Sequence, residues 1–304
     1  MSSFKIIPEY LKKGDEVMIV SPSFCIDEIK LEEAVSFLAE WGLKARIGRN
    51  AGKRNGPFAG SDQERLLDLQ EATDNSDVKA VFCARGGYGI SRIISNVDFS
   101  ALKKNPKWYV GFSDITVLHI WLSEVIGMMS IHADMPLNYN DPEKKGETFT
   151  TLKKALFGNL EKISWNGNSI RQRSAEGEIT GGNLSLVYSL IGTPAEPETI
   201  GKILFIEEVS EYYYHVDRML MSLKLAGKLD SLAALVVGGM NKIENTRIPW
   251  GRNIEETIHD IVGEYDYPVF FDFPAGHVDD NRAFYIGRNA SIAATGNNAV
   301  LSFE

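Results

Sequence analysis

Apolar and polar positions along the first half of the chain switch repeatedly between two periods. Val17-Met18-Ile19-Val20 is a continuous apolar run emptying into Ser21-Pro22-Ser23, the pattern of a strand buried on both faces. Leu31, Ala34, Val35 and Leu38 then recur at helical spacing, with Asp27 placed to cap the helix and Gly42 to stop it. Residues 43–47 read as the next strand. Ser61 and Glu64 form a capping box that opens a helix running to about residue 72, and Val78-Lys79-Ala80-Val81-Phe82-Cys83 is a third strand. A fourth apolar run, Trp108-Tyr109-Val110-Gly111, leads through Phe112-Ser113 into a helical segment from Asp114, and residues 128–131 make a further strand. Strand alternating with helix implies a doubly wound parallel sheet covered on both faces, with ligands bound at the carboxyl ends of its strands.

The pattern then loosens. Residues 138–145 are polar and loop-like, 147–157 suit a short helix, and 163–173 read as a polar crossing segment. Thr180-Gly181-Gly182-Asn183 opens the second half, followed by a buried helix ending at Gly192. Lys202-Ile203-Leu204-Phe205-Ile206 is a strand running into Glu207-Glu208. Residues 216–225 and 253–262 are amphipathic helices, His259 falling on the solvated side of the second. Residues 232–237 and 269–271 are strands, the latter leading to Gly276-His277. This α/β arrangement divides into an N-terminal parallel-sheet domain at 1–145, a linker at 146–176 and a C-terminal mixed α/β domain at 177–304.

Composition narrows the function. The chain has 304 residues, 44% hydrophobic and 24% charged, as in ordinary globular proteins. A net charge of −9, with basic residues scattered among acids, argues against a nucleic-acid partner. Two cysteines, Cys25 and Cys83, are too few for a disulfide framework or a zinc site. Neither a signal peptide nor an apolar run approaching ~18 residues is evident, so a cytoplasmic protein is expected.

Four places carry candidate chemistry. Ser113 sits on a strand-turn-helix, the geometry of a hydrolase nucleophile elbow, although Ile115 occupies the position of the usual second glycine. The competing reading is that Ser113 caps the helix, alone or with Asp114. Arg85-Gly86-Gly87-Tyr88-Gly89 leaves the third strand and precedes a segment, 90–94, that looks helical. It serves either as a loop turning backbone N–H groups toward an anion or as a tight turn. Glu207 and Glu208 either face a ligand cleft or are solvated loop acids. Among five histidines, His119 should point away from Ser113 into packing or solvent, His132 could border the same cleft, and His277 lies in a glycine-flanked loop suited to deliver a ring. Asp279 and Asp280 beside it raise a metal reading, which the missing second histidine at ligand spacing disfavours. Ser113, Glu207 and His277 together supply nucleophile, acid and base, from different halves and hence at an interdomain cleft.

Taken together, Gly111-Phe112-Ser113-Asp114, Arg85-Gly86-Gly87-Tyr88-Gly89, Gly181-Gly182-Asn183-Leu184, Leu204-Phe205-Ile206-Glu207-Glu208, Asp217-Arg218-Met219-Leu220 and Gly276-His277 resemble, in order and over nearly the whole chain, the LD-carboxypeptidase family of serine peptidases. The resemblance implies an N-terminal domain similar to class I glutamine amidotransferases. It also implies a Ser113-His277-Glu207 triad and an oxyanion hole from the backbone N–H groups of Gly87 and Asp114. The implied activity is release of terminal D-alanine from murein tetrapeptides in cytoplasmic cell-wall recycling, with no cofactor or metal, no nucleic-acid or membrane partner, and a homodimer as a possible assembly. A branch of the family resembling microcin C immunity proteins cleaves aminoacyl-nucleotide amides instead, and would want an aromatic platform such as Trp165 or Trp250. The alternative from another class is a non-catalytic binder of a small anionic ligand.

Overall fold

In the computed structural model, residues 5–141 and 146–304 are described. They fall into two compact units, Met1–Leu160 with Arg282–Tyr285, and Glu161–Asn281 with Ile286–Glu304.

The first unit is built on β1 (Glu16–Val20), β2 (Lys44–Ile47), β3 (Val78–Cys83), β4 (Trp108–Gly111) and β5 (Ser130–His132). Spatial order is β5-β4-β3-β1-β2, and every pair among these is parallel. The strand Phe284–Ile286 completes the sheet beside β5. Their side chains are apolar on both faces because helices cover both, as the continuous runs predicted: Val17, Ile19, Val81, Phe82 and Val110 are all fully buried. Register sets Val20 beside Cys83, Phe82 beside Val110, and Gly111 beside His132. The loops leaving β1, β3, β4 and β5 are therefore neighbours along one sheet edge.

Helices α1 (Glu28–Glu40) and α2 (Asp62–Asp74) flank this sheet. Both arms of the Ser61/Glu64 capping box form. Asp27 occupies the cap position of α1 without making a cap bond, because its carboxylate pairs with Arg54 at 3.1 Å. Residues 90–94 do not make an α-helix. Two short 3₁₀ turns, Ile90–Arg92 and Ile94–Asn96, stand there instead. The fourth connection is also tighter than its periodicity implied: a 3₁₀ turn covers Ser113–Ile115, and α3 (Thr116–Trp121) starts only afterwards. Part of the expected 138–145 loop lies outside the described residues. The helix expected at 147–157 is present as α4 (Thr148–Leu156) and belongs to the first unit.

The second unit carries β6 (Lys162–Asn166), β7 (Ser169–Ile170), β8 (Ala175–Asn183), β9 (Ile203–Val209), β10 (Ala234–Asn241), β11 (Val269–Phe270), β13 (Asn289–Thr295) and β14 (Asn298–Phe303), β12 being the strand already placed in the first unit's sheet. Their order is β6-β14-β13-β8-β9-β10-β11-β7, parallel from β8 to β11 and antiparallel outside. The segment expected as a polar crossing thus supplies both edge strands. In β6 the buried residues are Ile163 and Trp165, alternating with exposed neighbours, and their partner is β14, more than a hundred residues later. Helices α5 (Leu184–Ser189), α6 (Tyr213–Leu225) and α7 (Ile254–Val262) complete the unit. No helix among the described residues is long and apolar enough to cross a membrane.

Candidate active site

Ser113 stands where β4 turns. Phe112 is still extended, with φ −154° and ψ −171°, whereas Ser113 has φ +64°, a left-handed conformation that costs a non-glycine residue about 1–3 kcal/mol. Neither the 3₁₀ turn nor α3 has a side-chain cap bond, so Ser113 is not held there as a helix cap. A Cβ built on Gly86 would lie 2.9 Å from Ser113 Cβ and 3.0 Å from its Oγ, which shows how closely the backbone of the glycine loop approaches this serine. Gly87, next along, has φ +105°, and a Cβ there would run into the ring of Phe24. Only glycine fits that position.

A buried polar frame holds the neighbouring loops together. Asp114 Oδ2 accepts the Ser23 hydroxyl at 2.6 Å and the Ile90 N–H at 3.0 Å, joining the loops after β1, β3 and β4. Arg65 on α2 is buried; its Nη1 donates to the carbonyl of Gly89 at 2.9 Å and also to that of Pro22, while Nη2 bonds Asp62. Its guanidinium lies 4.9 Å from the centre of the Phe58 ring. Burial pushes the Asp114 carboxyl up and the Arg65 guanidinium down from their ordinary values, partly offset by these bonds and by each other's charge. Cys83 is buried under the same edge, its thiol driven well above the usual range by desolvation and then by Asp114.

Both histidines of the first unit are buried. His119 bonds the Gly111 carbonyl through Nε2 and the Ser130 hydroxyl through Nδ1, each at 2.8 Å. The carbonyl accepts only, so Nε2 carries the proton and Nδ1 accepts from the hydroxyl. Burial lowers this imidazole to about 4. His132, expected at a cleft edge, is fully buried and stacks on Phe284 at 4.7 Å.

In the second unit, Glu207 and Glu208 lie inside β9 rather than beyond it, and both are buried, which removes the reading as solvated loop acids. Successive strand residues face opposite sides, so the two acids have separate partners. Glu207 Oε2 meets His277 Nδ1 at 2.8 Å and accepts the His277 backbone N–H at 3.3 Å. Oε2 already acts as acceptor for the backbone N–H and takes the ring as its second donor, which makes Nδ1 the protonated nitrogen and leaves Nε2 as the basic one. The imidazole keeps 25% side-chain exposure against 0% for Glu207, so a reactant can reach the ring but not the acid. Glu208 faces away. It accepts Asn183 Nδ2, Ser185 N–H and Val209 N–H, each at 2.9 Å, and burial raises its carboxyl.

The loop that delivers His277 is fixed at several points. Gly276 has φ +102°, and a Cβ there would stand 2.7 Å from Glu207, so glycine is what lets the imidazole pass over the acid. Asn281, fully buried, accepts the Gly276 N–H at 2.9 Å. Asn241 of β10 donates to the His277 carbonyl, and Gly239 N–H to the Ala275 carbonyl at 2.9 Å. A cavity of about 420 Å³ opens beside this loop, lined by Gly239, Asn241, Phe271, Pro274, Val278 and Asp280. Sequence reasoning passed over Arg65, Asn241 and Asn281. Arg65 did carry a signal: it falls on the apolar face of α2 with Leu69 and Ala72, where a charge needs partners. Asn241 and Asn281 carry none, because an asparagine near a turn has many ordinary reasons to be there.

Among the described residues no group of three or more His, Cys, Asp or Glu side chains is arranged to hold a metal ion. Trp165 is buried in the core, donating to the Phe271 carbonyl at 2.9 Å, and the Trp250 indole donates to Thr257 Oγ1 at 3.0 Å.

The chain matches the LD-carboxypeptidase N-terminal domain over residues 17–133 and the LD-carboxypeptidase C-terminal domain over residues 176–292. It is 36% identical to a probable murein peptide carboxypeptidase of Bacillus subtilis (strain 168), across 97% of this chain and 93% of that protein. The crystal structure of muramoyltetrapeptide carboxypeptidase from Oxalobacter formigenes is similar with a TM-score of 0.87 and 28% identity, covering 95% of this chain and 98% of the other. The microcin C7 self immunity protein MccF, in complex with aspartyl sulfamoyl adenosine, shares the fold with a TM-score of 0.89 at 21% identity, covering 98% of this chain and 99% of that one. With matches spanning both units and the segments that hold Ser113, Glu207 and His277, this chain belongs to the LD-carboxypeptidase family and is a peptidase.

Proposed function

We propose that the protein is a serine carboxypeptidase that hydrolyses the L-to-D amide bond of murein tetrapeptides and releases terminal D-alanine, in cytoplasmic cell-wall recycling. The observation that carries the reading is the bond between the buried Glu207 and the reachable His277 ring, which fixes one tautomer as a general base requires. Ser113 Oγ attacks the carbonyl of the L-centre and gives its proton to His277 Nε2. The N–H groups of Gly87 and Asp114 take the oxyanion, preorganised by the loops described above. His277 then protonates the departing D-alanine amine, and water, activated by the same ring, frees the acyl group. Each step uses this chain's own groups, so neither metal nor organic cofactor enters.

Relatives carrying murein and muramoyltetrapeptide names support this substrate. Cleavage of an aminoacyl-nucleotide amide is the alternative on the same machinery. It is less well supported, since the likeness to MccF is one of fold and Trp165 is buried in the core. The test is a panel of murein tri-, tetra- and pentapeptides beside an aminoacyl sulfamoyl nucleotide. D-Alanine released from the tetrapeptide by the native protein, and not by Ser113→Ala, is the expected result. Cleavage of the nucleotide with the tetrapeptide left intact would give the alternative. Activity lost to a chelator and restored by zinc would remove the serine mechanism, and a folded protein that binds peptide without cleaving any substrate would be a binding module.

A further inference from the structure

An enzyme that removes one residue from a free C-terminus must recognise the terminal carboxylate, which lies only three bonds from the scissile carbonyl carbon. Resting on the function proposed above, we propose that Arg85 is the residue that grips this carboxylate and so sets the preference for a free C-terminal acid.

Position is the first argument. Arg85 leaves β3, the strand next to β4, and immediately precedes Gly86, the residue packed against Ser113. Its side chain is held against the loop after β1, whose Phe24 ring also packs on the glycine loop. Nη1 donates to the Cys25 carbonyl at 3.0 Å, and the guanidinium stands 5.9 Å from the centre of the Phe24 ring, the ring that packs on Gly87. One of five N–H donors is thereby spent on orientation. The remaining fork has the planar geometry that matches a carboxylate in bidentate fashion.

Elimination is the second argument. The other basic residues near this sheet edge are already engaged: Arg92 makes a two-pronged contact with Asp62, Lys53 pairs with Glu64 at 2.7 Å, Arg54 pairs with Asp27, and Arg65 is buried on backbone carbonyls. Arg49 follows β2, which β3 and β1 separate from β4. Arg85 is half-buried, so its charge is less screened than a surface cation's, and no carboxylate of its own unit bonds it among the described residues.

The experiment compares kcat/KM for the tetrapeptide free acid with that for its C-terminal carboxamide. The native protein is expected to prefer the acid strongly. Arg85→Gln, which removes the charge and ends two bonds short of the terminal guanidinium nitrogens, should reduce that preference on the order of 100-fold, mainly through KM for the acid. Arg85→Lys keeps the charge without the fork and should lose about tenfold. Thermal melting checks that each variant is folded. A native-like preference in either folded variant overturns the proposal while leaving the peptidase reading intact. A native protein that cleaves neither peptide overturns both.

Discussion

The two halves of the proposed triad are held by different means. Ser113 owes its place to backbone: a left-handed residue at the end of a parallel strand, closely approached by a glycine loop that a buried arginine and a buried aspartate clamp from behind. His277 owes its place to side chains: a carboxylate that accepts from both its ring and its N–H, and two asparagines, Asn281 accepting the Gly276 N–H and Asn241 donating to the His277 carbonyl. Strain suits the serine, since a nucleophile must be presented with its neighbouring N–H groups pointing outward. Direct bonding suits the imidazole, since it must keep one tautomer while its far nitrogen exchanges a proton. Losing a partner on the base side should therefore harm chemistry first, and losing one on the serine side should harm stability as well.

The largest effect should come from the acids of β9. Glu207→Ala leaves the ring without its acceptor, and turnover should fall on the order of 10⁴-fold, the scale seen for the carboxylate of another triad. Glu208→Ala instead strands the Asn183 amide and two backbone N–H groups, so its signature should be a lower melting temperature with a smaller loss of turnover. Equal turnover losses in two folded proteins would erase the distinction between these acids.

Next comes Arg65→Met. Removing a buried cation that satisfies the Gly89 and Pro22 carbonyls should cost about 3 kcal/mol of stability. Because those carbonyls belong to the loops around Ser113, kcat should drop more than KM rises. A urea midpoint unchanged from native would show that the frame is not what holds the serine edge. Gly276→Ala should destabilise by about 2 kcal/mol, from the left-handed φ and the contact with Glu207, and should cut turnover roughly 100-fold in protein that still folds. Its base-side location predicts that activity suffers out of proportion to stability, and a proportionate loss in both would contradict the comparison.

How far these arrangements were legible in the sequence follows the same division. The parallel sheet was readable because continuous apolar runs and capping signals are local, and β1, β3 and β4 stand where those runs lie. The elbow was readable as strand and turn, but the first helical turn after Ser113 is 3₁₀, a choice made by Asp114 bonding across to Ser23 and Ile90 rather than capping its own helix. Residues 163–173 were unreadable for a reason of distance: Ile163 and Trp165 alternate like any short strand, and only pairing with β14 makes them one. For Glu207 and Glu208 the strand pattern alone left cleft acids and solvated loop acids both open, because burial of two adjacent carboxylates depends on partners up to 70 residues away.

The smallest expected effect tests whether the serine edge also carries the acid sensitivity of the first unit. His119 sits beneath it, bonded to the Gly111 carbonyl two residues before Ser113, and burial lowers its imidazole from about 6.5 to about 4. A group depressed on folding contributes stability that is present above its unfolded value and is lost as pH falls through the folded one, here between 6.5 and 4. Asp114 and Glu208 work in the opposite sense. Burial raises both, so the folded state favours their neutral forms and gains from them as acid is added. The native acid limb is the sum of these, and His119→Gln isolates one component, since the amide can still donate to Gly111 and accept from Ser130. The melting temperature of the native protein minus that of the variant should shrink by a few degrees between pH 7 and pH 4.5. A gap that stays constant across that range would mean that His119 takes up no proton on unfolding, and that the pH dependence of the native protein arises at other groups.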